Sequence, residues 1–202
     1  MTPGKRAFDI ALAMMLGAIL LIPGLVIAGL VLVLSGRPVL HRSERMRGIN
    51  EPFMLWKFRS MRPDPGDIGV TGGDKSTRIT PVGRMLRRTR LDELPQLWNV
   101  LRGDISFVGP RPPLRRYTEL FPELYARVLQ TRPGITGLAT LRFHRREEVL
   151  LTACETVAET EAVYCRRCVP RKAALDLIYA RNRSLCFDLA LIAETVTRIR
   201  PH

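Results

Sequence analysis

The 202-residue chain carries 32 Lys and Arg against 19 Asp and Glu, a formal net charge of +13, with 46% hydrophobic but only 6% aromatic residues. That length supports one domain with a modest core, and the charge implies an anionic partner: nucleic acid, an anionic membrane or a phosphorylated substrate. So few aromatics argue against a single-strand binder that works by stacking bases.

In chain order, the first element is apolar. Residues 10 to 34, IALAMMLGAILLIPGLVIAGLVLVL, hold no charge. As a straight helix they would reach about 37 Å, more than a hydrocarbon core. The run is too long for a signal-peptide core and shows no cleavage site, so membrane insertion is expected. Lys5 and Arg6 precede it, and Arg37, His41, Arg42, Arg45 and Arg47 follow it. Both flanks are basic, and the positive-inside rule wants both in the cytoplasm. A re-entrant hairpin satisfies this. Pro23 favours a kink, since it has no N–H and its ring clashes with the carbonyl of Ile19. A plain transmembrane helix with a tolerated proline is the alternative. In either case the rest of the chain is expected on the cytoplasmic face, against anionic lipid.

Pro38 to Arg42 and Phe53 to Phe58 read as short strands with turn residues between them, a small β-hairpin. Residues 62 to 77 are rich in Pro, Gly and Asp and read as a surface loop. Residues 80 to 90, TPVGRMLRRTR, make a short basic helix. Leu94, Leu97, Trp98 and Leu101 share a helical face. Pro95 suits the first turn of that helix and Gly103 its stop. VGPRPP (108 to 113) must be extended, and RPGITG (132 to 137) reads as a rigid turn. Helices are expected over 145 to 166, from Pro170 through Ala180, and from Leu185 to Ile199 with Ser184 as cap. The last presents Leu185, Leu189, Ile192, Val196 and Ile199 on one face, as a core helix or an interfacial one. Cys165-x-x-Cys168 invites a zinc reading, but Cys154, Cys186 and His144 are scattered singly, and incidental reduced thiols are the simpler reading.

Asp92 and Glu93 stand before the helix of residues 94 to 101, among Arg87, Arg88 and Arg90. Helix capping alone would explain acids there. The setting offers more. Arginine presents a fork matched to phosphate oxygens. Two carboxylates can hold Mg²⁺ together with substrate phosphates, and an aspartate can attack phosphorus to give an acyl-phosphate. Apolar segment, basic site and paired acids point to phosphoryl chemistry at a lipid surface.

The chain resembles the bacterial sugar transferases, small monotopic polyprenyl-phosphate glycosyl-1-phosphate transferases. The matching stretches are KR (5 to 6), KFRSM (57 to 61), RITPVGRMLRRTRLDELPQLWNVLRGDISFVGPRP (78 to 112) and RPGITGLA (132 to 139), with a weaker match over 170 to 195. The resemblance implies an α+β, mostly helical fold: a re-entrant membrane helix-hairpin (1–36) kinked at Pro23, and a small cytoplasmic catalytic domain (37–202) with a β-hairpin and interfacial amphipathic helices. It implies transfer of a sugar-1-phosphate from a UDP-sugar to undecaprenyl phosphate, with release of UMP, at the cytoplasmic face of the bacterial inner membrane, as an initiating step of exopolysaccharide or other glycoconjugate assembly. Asp92 would be the nucleophile and Glu93 would be tied to Mg²⁺. Arg87 and Arg111 would hold phosphates, with a structural ion pair as the alternative for Arg111. Lys57 and Arg59 would do the same or seat the domain on lipid headgroups. Two departures stand out: Ile22, not Ser, precedes Pro23, and Arg90 stands where a small hydroxyl residue is common.

Other readings are a basic tethered module for nucleic acid or anionic lipid, and a scaffold with a dead acid pair. The first would need helix-turn-helix geometry or stacked aromatics, which the sequence does not offer, so no nucleic acid is expected as partner. An interfacial helix could support a homodimer.

Overall fold

A computed structural model describes residues 1–64 and 73–198. The apolar N-terminal run forms two helices, α1 (Pro3–Ile19) and α2 (Leu21–Ser35), bent by 63° at their junction. The break falls where Pro23 demands it. Pro23 has no N–H to give to Ile19, whereas the flanking bonds, Leu20 N–H to Leu16 O and Gly24 N–H to Leu20 O, are both 2.8 Å. Among the described residues no single helix is long and apolar enough to cross a membrane, but the bent pair passes that test together.

Both ends of the bent pair are fastened to the rest of the protein by cations, half-buried at one end and buried at the other. Arg6 donates to the carbonyls of Val100 (2.5 Å) and Leu101 (2.6 Å), and Lys5 pairs with the buried carboxylate of Asp188. The two residues read from the sequence as a basic flank are thus engaged inside the fold. At the other end Arg59 donates to the carbonyls of Arg37 (2.8 Å), Gly36 (2.7 Å) and Ser35, which end α2. Replacing Arg59 with Met leaves those carbonyls without this donor. We expect a loss of about 2–4 kcal/mol, read as a lower Tm of the purified protein. An unchanged Tm would show that solvent satisfies them instead.

The β-hairpin is present, β1 (Leu40–Gly48) against β2 (Glu51–Phe58), in antiparallel register from Leu40 opposite Phe58 to Gly48 opposite Glu51. Its first strand is longer than expected, continuing through the charged stretch after Arg42. Of the loop expected over 62 to 77, residues 65–72 lie outside the described residues and Gly73–Arg78 forms a 3-10 turn. The basic helix is α3 (Pro81–Thr89), capped by Thr80, whose Oγ1 accepts from Gly83 N–H at 3.0 Å. α3 lies hard against the strand end: a Cβ on Gly83 would sit 1.9 Å from the carbonyl oxygen of Ser60.

After α4 (Gln96–Arg102) the extended segment expected near Val108 begins as β3 (Ser106–Val108). The rigid turn expected at 132 to 137 is instead a strand, β4 (Gly134–Thr136), paired in parallel with β3. Three-residue strands carry too little alternation to be read from sequence. Glycine allows their approach, since a Cβ on Gly134 would meet Gly109 N at 2.2 Å. Between them run α5 (Arg115–Leu120) and α6 (Pro122–Val128).

The helix expected over 145 to 166 starts earlier and is divided: α7 (Leu138–Thr152), α8 (Val157–Val163) and a π-helical turn, Tyr164–Cys168. Thr156 and Glu159 cause the interruption. Thr156 Oγ1 accepts from Glu159 N–H (3.1 Å) and the Glu159 carboxylate accepts from Glu155 N–H (3.0 Å), a capping arrangement that starts a new helix. Then α9 (Val169–Asn182) and α10 (Leu185–Arg198) close the fold. Ser184 caps α10 through Phe187 N–H (3.1 Å), and Ile199 lies outside the described residues. Along α10, Leu185, Leu189 and Val196 are exposed while Leu191 is buried.

The main core joins α1, β2, α4, β3, α7, α9 and α10 through Ala13, Leu55, Val100, Val108, Leu141, Tyr179 and Leu191. A second core gathers Met46, Tyr117, Val128, Phe143, Tyr164 and Val169. A third and smaller one, Ile27, Val31, Phe58 and Leu86, locks α2 onto β2 and α3. None of the four cysteines is in a disulfide, and no group of three or more His, Cys, Asp or Glu suited to a metal occurs among the described residues.

Candidate active site

The acid pair sits in a 3-10 turn of its own, Leu91–Glu93, between α3 and α4. Proline again sets the geometry. Pro95 has no N–H for the Leu91 carbonyl, so that oxygen accepts from Leu94 N–H at 3.3 Å and α4 begins only at Gln96. Pro95 is therefore the N-cap of α4, one step outside the first-turn place expected for it. Arg90, at φ 55° and ψ 17°, makes the corner after α3. A left-handed non-glycine residue is uncommon, and it turns the following two side chains inward.

Asp92 and Glu93 are both buried, at 7% and 8% exposure, yet they are held very differently. Glu93 Oε1 accepts from Lys57 Nζ and from Arg111 Nη2, each at 2.9 Å. No hydrogen bond among the described residues uses its Oε2, and none reaches the Asp92 carboxylate. Burial pushes both acids up. For Glu93 this is outweighed by Arg111 and Lys57, which hold it well below the usual carboxylate range. For Asp92 burial prevails, helped by the charge of Glu93 and opposed by Lys57, Arg87 and Arg111, so its pKa is raised. One acid of the pair is a fixed anion and the other an under-partnered one.

The cations come from separate elements. Lys57 lies on β2, and burial draws its pKa down against the pull of Glu93. Arg111 follows β3 in the GPRP segment, and Glu93 raises it. Arg87, on α3, is held by Ser60 Oγ (3.1 Å to Nε) and Met61 Sδ (2.9 Å to Nη2) within electrostatic reach of Asp92. The structure thus brings Lys57, Arg87, Arg111, Asp92 and Glu93 together. It does not bring Arg59, which is occupied at the end of α2, and Pro23 lies in the bend.

Two residues of this neighbourhood were not read as site residues in the sequence. Arg45, on β1, donates to Pro112 O at 3.4 Å, and burial with the nearby Arg111 lowers its pKa to about 10. Glu147, on α7, accepts from Lys172 Nζ at 2.7 Å and also favours the charged Arg111. The charged stretch around Arg45 has no apolar alternation, and Glu147 is one of several acids on its helix. Neither gives a sequence signal.

Mg²⁺ fits the donor set. It takes oxygen ligands and commonly uses one or two carboxylates with substrate phosphates. The Asp92 carboxylate and Glu93 Oε2 would supply those oxygens, and three surrounding cations would suit the rest of a diphosphate.

A family model described as bacterial sugar transferase matches residues 2–201. Among similar proteins, an undecaprenyl-phosphate glucose phosphotransferase of Komagataeibacter xylinus is 39% identical over 96% of this chain and 35% of its own length. A UDP-glucose:undecaprenyl-phosphate glucose-1-phosphate transferase of Caulobacter vibrioides is 40% identical over 95% of this chain and 68% of its own. The exopolysaccharide production protein PSS of Rhizobium leguminosarum bv. phaseoli is 38% identical over 95% and 92%. The chain therefore spans about a third of the first of these relatives.

Proposed function

Because the chain belongs to the bacterial sugar transferase family, we propose that it transfers a sugar-1-phosphate from a UDP-sugar to undecaprenyl phosphate, through a covalent intermediate on Asp92. The observation that carries this reading is the unequal acid pair: Glu93 is clamped by two cations while Asp92, beside it, accepts no hydrogen bond from the described residues. In this reading an Asp92 oxygen attacks the phosphorus that bears the sugar. The bond from that phosphorus to the bridging oxygen breaks, and UMP leaves with the electron pair. A phosphate oxygen of the polyprenyl phosphate then attacks the same phosphorus and frees the Asp92 carboxylate. Each step exchanges one P–O bond for another, so no oxidant or further reactant is needed.

Mg²⁺, when bound, would neutralise the diphosphate as charge develops on the leaving oxygen. Glu93 keeps its charge through Lys57 and Arg111 and so can serve as the fixed ligand. Arg87 and Arg111 orient the phosphates, and burial of the turn excludes water that would hydrolyse an acyl-phosphate. The bent α1–α2 pair would seat the protein in the cytoplasmic face of the membrane, where the acceptor phosphate lies.

One relative's name prints UDP-glucose and another's glucose, so UDP-glucose is the first donor to try. Purified protein with Mg²⁺, undecaprenyl phosphate and UDP-glucose or other UDP-hexoses should release UMP and form a lipid-linked sugar diphosphate. EDTA should stop both. Folded protein that releases UMP from no UDP-hexose would overturn the proposal.

A further inference from the structure

A cavity of about 300 Å³ lies between the end of α6, with the loop that follows it, and the end of α9. Arg127, Gln130 and Thr131 line it from the first side, and Arg181 and Arg183 from the second. The rest of its lining is apolar, and no acid is part of it. None of the residues grouped around Asp92 and Glu93 borders it.

Arginine near a helix end has an ordinary explanation, since a cation there suits the helix dipole. Arg127 and Arg181 do stand in the last turns of α6 and α9. The dipole does not account for Arg183, which lies beyond α9, nor for the convergence of all three guanidinium groups on one space. Elsewhere on the surface Arg115, Arg116 and Arg142 each pair with an acid. No hydrogen bond or ion pair among the described residues engages the side chain of Arg127, Arg181 or Arg183. Thr131 adds a second observation. It is only 4% exposed, yet its hydroxyl has no hydrogen-bond partner among the described residues. A hydroxyl so enclosed is normally hydrogen-bonded, and an anion in the cavity that it lines would supply the partner.

We propose that this cavity binds a phosphate group, carried by a membrane lipid headgroup or by a soluble phosphate ester, at a site separate from the acid pair. Guanidinium forks match phosphate oxygens, and an anion relieves the mutual repulsion of three like charges. The Thr131 hydroxyl and the Gln130 amide can donate to the remaining oxygens. The volume stands at the lower end of the range for small-molecule sites, about 300–1,000 Å³, which admits a phosphate with a few attached atoms. A lipid is the better matched source. Lys5, at the start of α1, pairs with Asp188 in the first turn of α10, and Arg183 directly precedes Ser184, the cap of that turn. In the membrane seating proposed above, this is the level at which α1 meets the bilayer surface. Ile178, one turn before Arg181, and Leu185 are exposed apolar side chains, suited to the apolar end of such a lipid. The preference for lipid rests on that seating, and the phosphate site itself does not.

The test is arginine modification by phenylglyoxal on the full chain, read peptide by peptide by mass spectrometry. In detergent, millimolar inorganic phosphate should slow modification of Arg127, Arg181 and Arg183 about fivefold or more relative to chloride at matched ionic strength. The exposed Arg171, near the other end of α9, should not change. Arg181→Gln and Thr131→Val should both fold, since neither side chain has a partner to lose. Each should remove most of the protection from the arginines that remain, while UMP release and phosphate protection of Arg111 stay at wild-type values. The second arm uses nanodiscs of phosphatidylethanolamine and phosphatidylglycerol without free phosphate. Protection there that Thr131→Val removes would assign the phosphate to lipid, and protection by inorganic phosphate alone would assign it to a soluble ester. Slowing no greater than at Arg171 in both arms, or slowing that both variants retain, would overturn the site. Protection of the three arginines in a chain that releases no UMP would leave the site standing and defeat the proposed function instead.

Discussion

Asp92→Asn should lower donor-driven UMP release by at least about 10³-fold, because an amide oxygen cannot replace a carboxylate as nucleophile on phosphorus. The same change should not harm the fold. No hydrogen bond among the described residues ends on the Asp92 carboxylate, so its replacement orphans no partner. The sign of its pKa strengthens the point. Asp92 titrates above its ordinary value of 3.8, chiefly through burial. A carboxyl that holds its proton more tightly when folded favours folding at acid pH, and that contribution is lost as pH rises through the folded pKa. At neutral pH the ionised Asp92 therefore costs stability, and the asparagine variant should melt at the same temperature or higher. In the wild type, UMP release should rise with pH, with a midpoint above 3.8. Wild-type release rates in Asp92→Asn would remove Asp92 from the chemistry. A large fall in Tm would show that the acid is structural.

Glu93→Gln should be damaging in both respects. Lys57 and Arg111 both donate to Glu93 Oε1, and the variant leaves two cations facing a neutral amide. Breaking a buried pair of this kind costs about 3–5 kcal/mol. Arg111 keeps 35% of its side chain exposed, so the lower part of that range, about 3 kcal/mol, is the better expectation. Activity should fall by about 10²-fold or more through loss of a metal ligand and of phosphate orientation. Glu93 has a folded pKa below its ordinary 4.5, so its stabilisation is present above that pH and is lost as pH falls toward the folded value. The Tm gap between wild type and Glu93→Gln should accordingly be full at neutral pH and narrow below pH 4.5. A gap that does not change with pH would mean that the salt bridges do not hold the turn. Loss of the Glu93 charge should also move the pH profile of UMP release to lower pH, since the nearby Glu93 carboxylate helps to hold the Asp92 pKa up.

Features with strong local signals were legible in the sequence. Pro23 gave the bend, Ser184 the last helix start and Gly103 the end of α4; of the face expected from Leu94 to Leu101, Leu97 and Leu101 pack partly on the main core, but Leu94 lies before α4 and Trp98 is exposed. Arg87 stood near the acid pair in the sequence, but the grouping of Lys57 and Arg111 with it came from resemblance, since separate elements deliver them and no spacing along the chain reveals it. The role of Arg59 was hidden for a related reason. Two residues from Lys57 in the chain, its side chain turns to the carbonyls that end α2, and basicity alone does not distinguish a phosphate ligand from a helix-end donor. The β3–β4 pair was hidden because it depends on backbone contact at Gly109 and Gly134. The division between α7 and α8 could have been read, as Thr156-x-x-Glu159 is a helix-start signature, but the mixed charge on either side masked it.

The 63° bend also fixes how deeply the α1–α2 pair could enter a bilayer. A 17-residue arm such as α1 is about 25 Å long at about 1.5 Å per residue. With both ends of the V at one surface, each arm leans so far from the bilayer normal that its tip descends only about 13 Å, under half of a hydrocarbon core of about 30 Å. A wedge of that depth displaces lipid in one leaflet and leaves the other untouched. Its seating would then depend on the packing and curvature of a single monolayer, and hardly on the thickness of the whole membrane.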